Sequence, residues 1–380
     1  MKNLINNKGA YMNPNRILLI VLVLLIVLTW ILPPFTTRIK HNNGGIGEKV
    51  FLTIGGVRQG MIIKGNDMEK PVLLFLSGGP GIPEYFMENQ YPTFLEDEFI
   101  VCFLDWRGTG LSYGQFVTPE SMTREQFIAD TFEVTEYLCE RFEVNKIYLA
   151  AHSFGTSIGI QAVAERPELY HGYIAISQIA DQPRSEQLAY EYMLSQCEKE
   201  GNDSLFRQLT DNPYGTEGYF SSGIRDKAMH ALGVGTTRDM ESVITGIFFP
   251  SLRMTDYSLT ERINIWRGKS FANQTMQDTF TFNAFETVKS VNVPVYFFAG
   301  KYDYTCCYEL QREYFEFLDA PEKYFYTFEN SAHSPLFEES EKAEEIIKFI
   351  TGKQNQMPAL DASSAAMTRS HHTSNSGSSS

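Results

Sequence analysis

The sequence predicts an α/β fold: a mostly parallel central sheet with helices on both faces and a helical cap inserted between strands. In residues 48–177, short apolar runs of strand length alternate with longer segments of helical spacing, and the same alternation resumes over 292–352. Between them, residues 178–291 show polar helical stretches dotted with aromatic residues instead of strand patterns. Alternating strands and helices are typical of a parallel sheet. We therefore expect one core built from two segments of the chain, with the cap over it.

The core elements follow one another in a simple order. Val50, Leu52 and Ile54 alternate as in a strand, and a Gly-Gly turn leads to a second strand at 59–64, which completes a hairpin. Further strands are predicted at 71–76, 99–104, 147–150, 172–177, 294–299 and 323–328. Helices are predicted at 123–142, 308–318 and 338–350 in the core and at 185–199, 237–249 and 259–267 in the cap. Sheets of this kind carry their functional groups in the loops at the carboxyl ends of strands.

The stretch from Lys146 to Val163 has the pattern of a strand, a sharp turn that carries Ser153, and a helix. Such a turn holds a serine hydroxyl at the carboxyl edge of the sheet, above the N-terminus of the helix. Ala151 and Gly155 are small, as the close approach of the two backbones requires, although glycine is usual at the first of these positions. The alternative is an ordinary serine–glycine turn between a strand and a helix.

Two further residues at strand ends complete a candidate catalytic triad with Ser153. A serine hydroxyl needs a base to take its proton, and the base needs a partner that orients it. His333 follows the last predicted strand, and Asp303 follows the strand before it. The chain order serine, aspartate, histidine is the one expected of a triad on such a sheet. His152 is a competing base, but neighbours on a tight turn point in different directions, so we expect it to be structural or to shape the pocket.

A glycine-rich loop at 77–81, Ser-Gly-Gly-Pro-Gly, follows a predicted strand and offers backbone N–H groups. We expect Gly79 of this loop and Phe154, the residue after the serine, to donate the two N–H groups of an oxyanion hole. The alternative is a phosphate-binding loop. However, this loop lacks the Lys-Ser/Thr of a P-loop, and no clear helix follows it.

The turn after the strand at 99–104 carries two charged side chains, Asp105 and Arg107. Their opposite charges and their proximity in the chain suggest an ion pair. We expect this pair to brace the turn rather than to take part in chemistry.

The composition disfavours several classes of function. Lys plus Arg number 32 against 46 Asp plus Glu, and the net charge of −14 disfavours nucleic acid and anionic surfaces as partners. The five cysteines are odd in number and contain no C-x-x-C pair, so we predict neither a disulfide framework nor a metal site. We expect no cofactor.

An apolar segment near the N-terminus predicts a membrane anchor. Residues 17–32 carry no charge, and two prolines end the run. This length is near the lower limit for a membrane-spanning helix, about 17–25 residues, and above the apolar part of a signal peptide, about 7–15. We favour an uncleaved single-pass anchor within residues 1–35, with a cytoplasmic stub before it and the catalytic domain outside the cytoplasm. The alternatives are a cleaved signal peptide and a soluble helix.

The membrane anchor can be tested by membrane fractionation of the full chain beside a version that begins at Lys40; equal behaviour of the two would contradict it.

At the other end of the chain, residues 353–380 are rich in serine and lack an apolar pattern. We expect them to form a disordered tail.

These motifs resemble the α/β-hydrolase superfamily, and within it the proline iminopeptidase (prolyl aminopeptidase) family of serine peptidases. The matching stretches are Gly-Gly-Pro-Gly at 78–81, DWRGTGLS at 105–112, the turn around Ser153, Gly-Lys-Tyr-Asp at 300–303 and Glu-Asn-Ser-Ala-His at 329–333. The resemblance implies the α/β-hydrolase fold, and it implies the following roles: Ser153 as nucleophile, His333 as base, Asp303 as its orienting acid, and Gly79 with Phe154 as the oxyanion hole. Ser77 departs from the family, which usually has a histidine there.

In that family, carboxylates of the cap bind the free α-amino group of the substrate. The cap here offers Asp181, Glu186, Glu191 and Glu241, each of which is equally compatible with a solvated helix face. The resemblance thus implies a serine hydrolase, an aminopeptidase that releases N-terminal residues, with proline as a candidate, from short peptides. The apolar N-terminal segment adds the expectation that this enzyme is anchored in a membrane. Two alternatives stay open: a carboxylesterase for small lipophilic esters, and a ligand-sensing protein on a hydrolase scaffold.

Overall fold

Eight strands form one sheet at the centre of the protein. The computed structural model describes residues 14–33, 35–276 and 280–352. The strands are β1 (Ile46–Ile54), β2 (Val57–Gly65), β3 (Val72–Leu76), β4 (Ile100–Leu104), β5 (Ile147–His152), β6 (Tyr170–Ile176), β7 (Val295–Gly300) and β8 (Lys323–Phe328). Each predicted strand is present. β1 begins at Ile46, four residues before the predicted alternation, and the other bounds lie within two residues of the prediction. The predicted tail at 353–380 and the stub up to residue 13 lie outside the described residues.

The sheet is mostly parallel, as predicted. Its strand order is β1-β2-β4-β3-β5-β6-β7-β8. β2 is antiparallel to both β1 and β4, and the other neighbouring pairs are parallel. Because parallel strands end at the same edge of a sheet, the loops after β5, β7 and β8 bring Ser153, Asp303 and His333 to one edge.

Helices cover the sheet and form the cap. In chain order they are α1 (Pro14–Ile31), α2 (Tyr85–Gln90), α3 (Leu95–Glu98), α4 (Arg124–Arg141), α5 (Phe154–Glu165), α6 (Gln182–Glu200), α7 (Asp203–Asp211), α8 (Glu217–Ser221), α9 (Ile224–Ala231), α10 (Phe249–Arg253), α11 (Leu259–Thr275), α12 (Ala284–Thr287), α13 (Tyr308–Phe317), α14 (Pro335–Glu338) and α15 (Ser340–Ile350). Of these, α2, α3, α7, α8, α9, α12 and α14 were not predicted from the sequence.

Two apolar layers pack against the sheet, one on each face. Alternate side chains of a strand point to opposite faces, so Leu74 and Leu149 contribute to one layer and Leu73 and Phe75 to the other. The first layer includes buried side chains of α4, α5 and α13, and the second includes those of α2 and α15. Helices therefore lie on both faces of the sheet.

The segment between β6 and β7 is helical, and α6 to α9 share an apolar cluster of their own. Met193, Cys197, Leu209 and Tyr219 are among its buried members. The cluster gives this part of the cap a packed interior separate from the two layers of the core. The cap bounds of 178–291 remain a prediction.

The helix predicted over 237–249 differs from what is observed. The first part of this segment is irregular, and one turn of π-helix at Ile244–Phe248 leads into α10. The Thr237 hydroxyl donates to Asp239 at 2.7 Å, and the N–H between these two residues is bound by Glu338. Side-chain hydrogen bonds of this kind compete with helical ones, which explains the late start of the helix.

The N-terminal apolar segment forms α1, and its side chains that are described from Ile17 to Leu28 are exposed. The chain after this helix is bound to the cap through Arg262, whose guanidinium donates to the carbonyl oxygen of Pro33 at 2.5 Å. Within the residues described, no helix is long and apolar enough to span a membrane.

Candidate active site

Ser153 occupies a strained turn between β5 and α5. Its φ and ψ angles are 52° and −121°, a conformation that residues other than glycine rarely adopt. Position 155 must be a glycine, because a Cβ on Gly155 would clash with the carbonyl oxygen of Leu76. The chain is thereby forced to turn sharply, and the serine is held at the end of the strand, over the first turn of the helix.

Ala151 stands where this type of turn usually has glycine, and the helix compensates for it. A Cβ on Gly159 would lie 3.0 Å from the Cβ of Ala151 and 2.9 Å from the ring of Tyr173. The helix therefore lacks a side chain at the point where the strand has an additional one. The departure from the usual motif is accommodated within the strand and helix that flank the turn.

The three residues predicted as a triad form one hydrogen-bonded chain. His333 Nε2 is 2.8 Å from Ser153 Oγ. On the other side of the ring, His333 Nδ1 is 3.1 and 3.0 Å from the two carboxylate oxygens of Asp303. This geometry allows the imidazole to take a proton from the serine hydroxyl while the carboxylate fixes the ring and its tautomer.

Asp303 is held ionised by its neighbours. Its Oδ1 accepts the N–H groups of Thr305 and Cys306 at 2.9 Å each, and its Oδ2 accepts from the amide of Gln311 at 3.1 Å. Burial alone would raise the pKa of Asp303, but the His333 ring and the Cys306 N–H are among the groups that outweigh burial and lower the pKa below its usual value. A carboxylate with a lowered pKa suits the orienting role.

His152 has both ring nitrogens engaged away from the serine. Its Nδ1 is 2.6 Å from Glu84 Oε1, and its Nε2 is 2.6 Å from the backbone carbonyl oxygen of His333, which also accepts the Ser177 hydroxyl at 2.9 Å. Burial lowers the pKa of His152, but the Glu84 carboxylate and the His333 carbonyl more than offset it, so the pKa is raised overall. His152 therefore contacts the backbone of His333 rather than the serine, and its role is structural.

The glycine-rich loop lies directly beside the nucleophile. A Cβ on Gly78 would be only 2.9 Å from the Cβ of Ser153. Within the part of the chain that the structure describes, the backbone N–H groups of Gly79 and Phe154 have no hydrogen-bond acceptor. They are therefore free to bind a substrate oxygen, as the oxyanion-hole prediction requires.

Ser77 is part of the support of this loop. Its hydroxyl accepts the backbone N–H of Glu84 at 3.1 Å, and its carbonyl oxygen accepts the indole N–H of Trp106 at 2.8 Å. All three side chains are buried. The residue that departs from the resembled family therefore keeps a structural hydrogen bond in the loop.

The four cap carboxylates proposed from the sequence as amine ligands are occupied or exposed. Asp181 caps α6, and Glu191 and Glu241 are exposed. Glu186 is buried, and both of its oxygens bind Arg225, at 2.6 and 2.7 Å. A substrate amine would have to displace this guanidinium to reach Glu186.

The predicted ion pair between Asp105 and Arg107 is wrong. Arg107 instead binds both carboxylate oxygens of Asp130 on α4, at 2.7 and 2.8 Å. Asp105 accepts the hydroxyl of Tyr257 and the N–H of Leu111, each at 2.7 Å. Arg107 pairs with Asp130 rather than with its chain neighbour Asp105, because the two carboxylate oxygens of Asp130 can both accept from the planar guanidinium.

Four side chains around the triad escaped the sequence interpretation: Glu84, Ser177, Cys306 and Gln311. The Cys306 N–H donates to Asp303 at 2.9 Å, and burial raises the pKa of the Cys306 thiol well above its usual value. Only position in the chain could have pointed to any of them, since Cys306 and Gln311 lie within eight residues of the triad aspartate.

In the described part of the chain, no group of three or more His, Cys, Asp or Glu side chains is arranged to hold a metal ion.

Comparison with known proteins gives the same picture of the fold. A family model described as the alpha/beta hydrolase fold matches residues 71–340. A Bacillus subtilis (strain 168) protein named as a probable aminopeptidase, YbaC, is 34% identical over 291 residues, which cover 76% of this chain and 91% of that protein.

Two solved structures extend the comparison. The proline iminopeptidase of Mycobacterium smegmatis has a TM-score of 0.58 at 14% identity, covering 80% of this chain and 96% of its own. A proline iminopeptidase-related protein of Thermus thermophilus has a TM-score of 0.56 at 18% identity, covering 80% and 97%. At these identities the likeness shows the fold alone.

Proposed function

Because this chain belongs to the α/β hydrolase family, we propose that it is a serine hydrolase that works through an acyl-enzyme on Ser153. The observation that carries the proposal is the hydrogen-bonded chain from Ser153 through His333 to Asp303, with contacts of 2.8 and 3.0 Å. A serine within reach of a histidine that a buried carboxylate orients is the arrangement that activates a hydroxyl as a nucleophile.

The proposed reaction has two halves. Ser153 Oγ attacks the substrate carbonyl carbon while His333 Nε2 takes the hydroxyl proton, and the N–H groups of Gly79 and Phe154 receive the charge on the carbonyl oxygen. Collapse of the tetrahedral intermediate expels the leaving group, which takes the proton from His333, and leaves the acyl group on the serine. Water then attacks this ester, His333 takes its proton, and the proton returns to Ser153 Oγ as the acid product leaves.

For the substrate we propose a short peptide with a free N-terminus, from which the enzyme releases the N-terminal residue, with proline as a candidate. The support is the relative named as a probable aminopeptidase, which aligns over 91% of its length at 34% identity. The proline iminopeptidases share the fold at much lower identity, which agrees with the proposal without carrying it.

A carboxylesterase for small lipophilic esters is the second candidate, and one observation favours it. An aminopeptidase needs an anionic group for the substrate amine. Of the four carboxylates predicted in the cap, two are buried: Glu186 is already paired with Arg225, and Asp181 caps α6. An ester needs only an apolar slot and the triad.

The experiment compares hydrolysis of proline p-nitroanilide and p-nitrophenyl butyrate by the wild type and by Ser153→Ala. Loss of the nucleophile is expected to lower kcat by roughly 10⁴-fold or more. Anilide turnover that disappears in the variant supports an aminopeptidase, and ester turnover alone supports an esterase. Activity that survives in Ser153→Ala contradicts the proposed mechanism.

A second comparison separates the two substrate classes. An aminopeptidase discriminates between an amide substrate with a free N-terminus and the same substrate acetylated at the N-terminus, because acetylation removes the charged amine. Equal rates for the two would rule out the aminopeptidase.

A further inference from the structure

Lys269 is a basic side chain on the face of α11 that packs against the core. Its neighbours on that face, Ile265, Gly268 and Ala272, are buried. The ammonium of Lys269 donates to the carbonyl oxygen of Pro80, in the glycine-rich loop, at 3.1 Å. An ammonium has three N–H donors, and this bond uses one of them.

Lys269 has no carboxylate partner within the described part of the chain. The charged groups that act on it are Asp226 and Arg225, both on α9. Neither compensates it fully, because Asp226 is itself bonded to Arg225 at 2.9 Å, and Arg225 is paired with Glu186. Burial lowers the pKa of Lys269 to about 8. A partly buried ammonium without a counterion is unfavourable, and an anionic ligand would remove that cost.

The ammonium and the nucleophile lie against the same glycine-rich loop. A Cβ on Gly81 would be 3.2 Å from the Cα of Lys269, and a Cβ on Gly78 would be 2.9 Å from the Cβ of Ser153. One short loop therefore contacts the nucleophile at one end and the lysine at the other. Pro80 is two residues from Gly78, so their Cα atoms are at most about 7.6 Å apart. The carboxylate of a dipeptide lies one residue beyond the cleaved bond, a reach of up to about 5 Å to its oxygens.

We propose that Lys269 binds a carboxylate group of the substrate, and that this group is the free C-terminal carboxylate of a dipeptide whose peptide bond lies at Ser153. The inference rests on the proposed aminopeptidase function and deepens it, because it selects dipeptides over longer or amidated chains. A carboxylate accepts the two free N–H donors of the ammonium in a charge-assisted bond, which is stronger than a neutral one.

The selection for a carboxylate depends on pH in a defined direction. The pKa of Lys269 is lowered to about 8, so the ammonium is charged at pH 6.5 and neutral at pH 9.5. The ratio of acid to amide binding is therefore highest near pH 6.5 and falls as pH rises through 8 to 9. The ratio is the useful quantity because changes in the triad affect both ligands alike.

The experiment measures binding of prolyl-alanine and prolyl-alanine amide to the Ser153→Ala protein by calorimetry at pH 7. The acid is expected to bind at least tenfold more tightly than the amide. Adding Lys269→Met should reduce this ratio to about one, and adding Lys269→Arg should retain most of it, since the charge remains. The matched control is Lys227→Met, which removes an exposed lysine on α9 and should keep the full ratio.

Three outcomes would overturn the carboxylate site. The first is equal affinity for acid and amide, and the second is no detectable binding of either. The third is a Lys269→Met variant whose affinity for both ligands falls by the same factor, as expected if the lysine only braces the loop through Pro80. Turnover of prolyl-alanine by the wild type is scored separately. A dipeptide that binds through Lys269 but is not cleaved refutes the aminopeptidase while the carboxylate site stands.

Discussion

At the residue scale, the contacts of His152 connect it to the backbone of the catalytic histidine. Both of its partners, the Glu84 carboxylate and the backbone carbonyl of His333, accept hydrogen bonds, and both contacts are 2.6 Å. The backbone carbonyl can only accept, so His152 Nε2 carries a proton. Burial lowers the pKa of His152, but the Glu84 carboxylate and the His333 carbonyl raise it by more. A hydrogen bond is thus made to the backbone of the catalytic histidine itself, and we infer that it fixes where that ring lies.

Replacing His152 with Phe removes both bonds while keeping a ring of similar size. The carbonyl of His333 then keeps only its bond from Ser177, and the catalytic ring can shift relative to the nucleophile. We expect kcat to fall by roughly tenfold or more with KM little changed, since misplacement of about 1 Å is costly. His152→Gln, whose amide can still donate one bond, should recover part of the loss in steady-state assays. A fall in KM and kcat alike, or no recovery in Gln, would contradict this role.

The triad could be predicted from the sequence because each member directly follows a strand, and strand ends meet at one edge. Glu84 could not, because it contacts His152 across 68 positions of the chain and belongs to no motif that names it. The failed Asp105–Arg107 pair has the same cause. Proximity in the chain suggested a contact, whereas the fold supplied Asp130 as a partner with better geometry.

At the scale of elements, Arg107 joins three parts of the core. Its guanidinium binds Asp130 on α4 and, at 3.2 Å, the carbonyl of Gly55 in the turn between β1 and β2. Asp130 also accepts from the amides of Gln59 and Gln126, at 2.6 and 2.8 Å. The antiparallel hairpin at the edge of the sheet is thus bound to α4 through a buried ionic network.

Arg107→Met is expected to destabilise the protein by about 3–5 kcal/mol, because it leaves the buried Asp130 carboxylate without its counterion. The free energy of unfolding is measured by urea denaturation. Arg166→Met is the control, since it breaks a pair with Glu136 at the surface and should cost about 0–1 kcal/mol. Equal losses in the two variants would mean that the network does not act as a unit.

The strands were more predictable than the cap helices because the strands are more completely buried. Core strands such as β3 and β4 are buried along their whole length, so their apolar runs are continuous. The cap helices bury only part of their surface, and local side-chain bonds at Thr237 replace helix where spacing alone predicted it. Apolar pattern therefore identifies buried elements far better than half-exposed ones.

At the scale of the whole molecule, buried acids make stability depend on pH. Burial raises the pKa of Glu88, Asp105 and Glu338 to about 7 each. A folded state with a raised carboxyl pKa holds a proton that the unfolded chain has released. The stabilisation is complete below the unfolded pKa and is lost as pH rises through 7. These three groups therefore make the protein less stable at pH 8 than at pH 5.

Glu88→Gln isolates one of these groups, because Glu88 is far from the triad in the chain. Among the residues that the structure describes, its two oxygens accept hydrogen bonds from Thr93 alone, at 2.9 and 2.7 Å. Its pKa is raised from 4.5 to about 7, so the wild type loses stability between those values, while the uncharged amide does not. The stability of the variant relative to the wild type should rise by about 1–3 kcal/mol between pH 5 and pH 8 in urea denaturation. Glu341→Gln, at an exposed position on α15, should show no such trend. A flat difference for Glu88→Gln would mean that this carboxyl is already ionised at pH 5, and that Thr93 stabilises its charge in spite of burial.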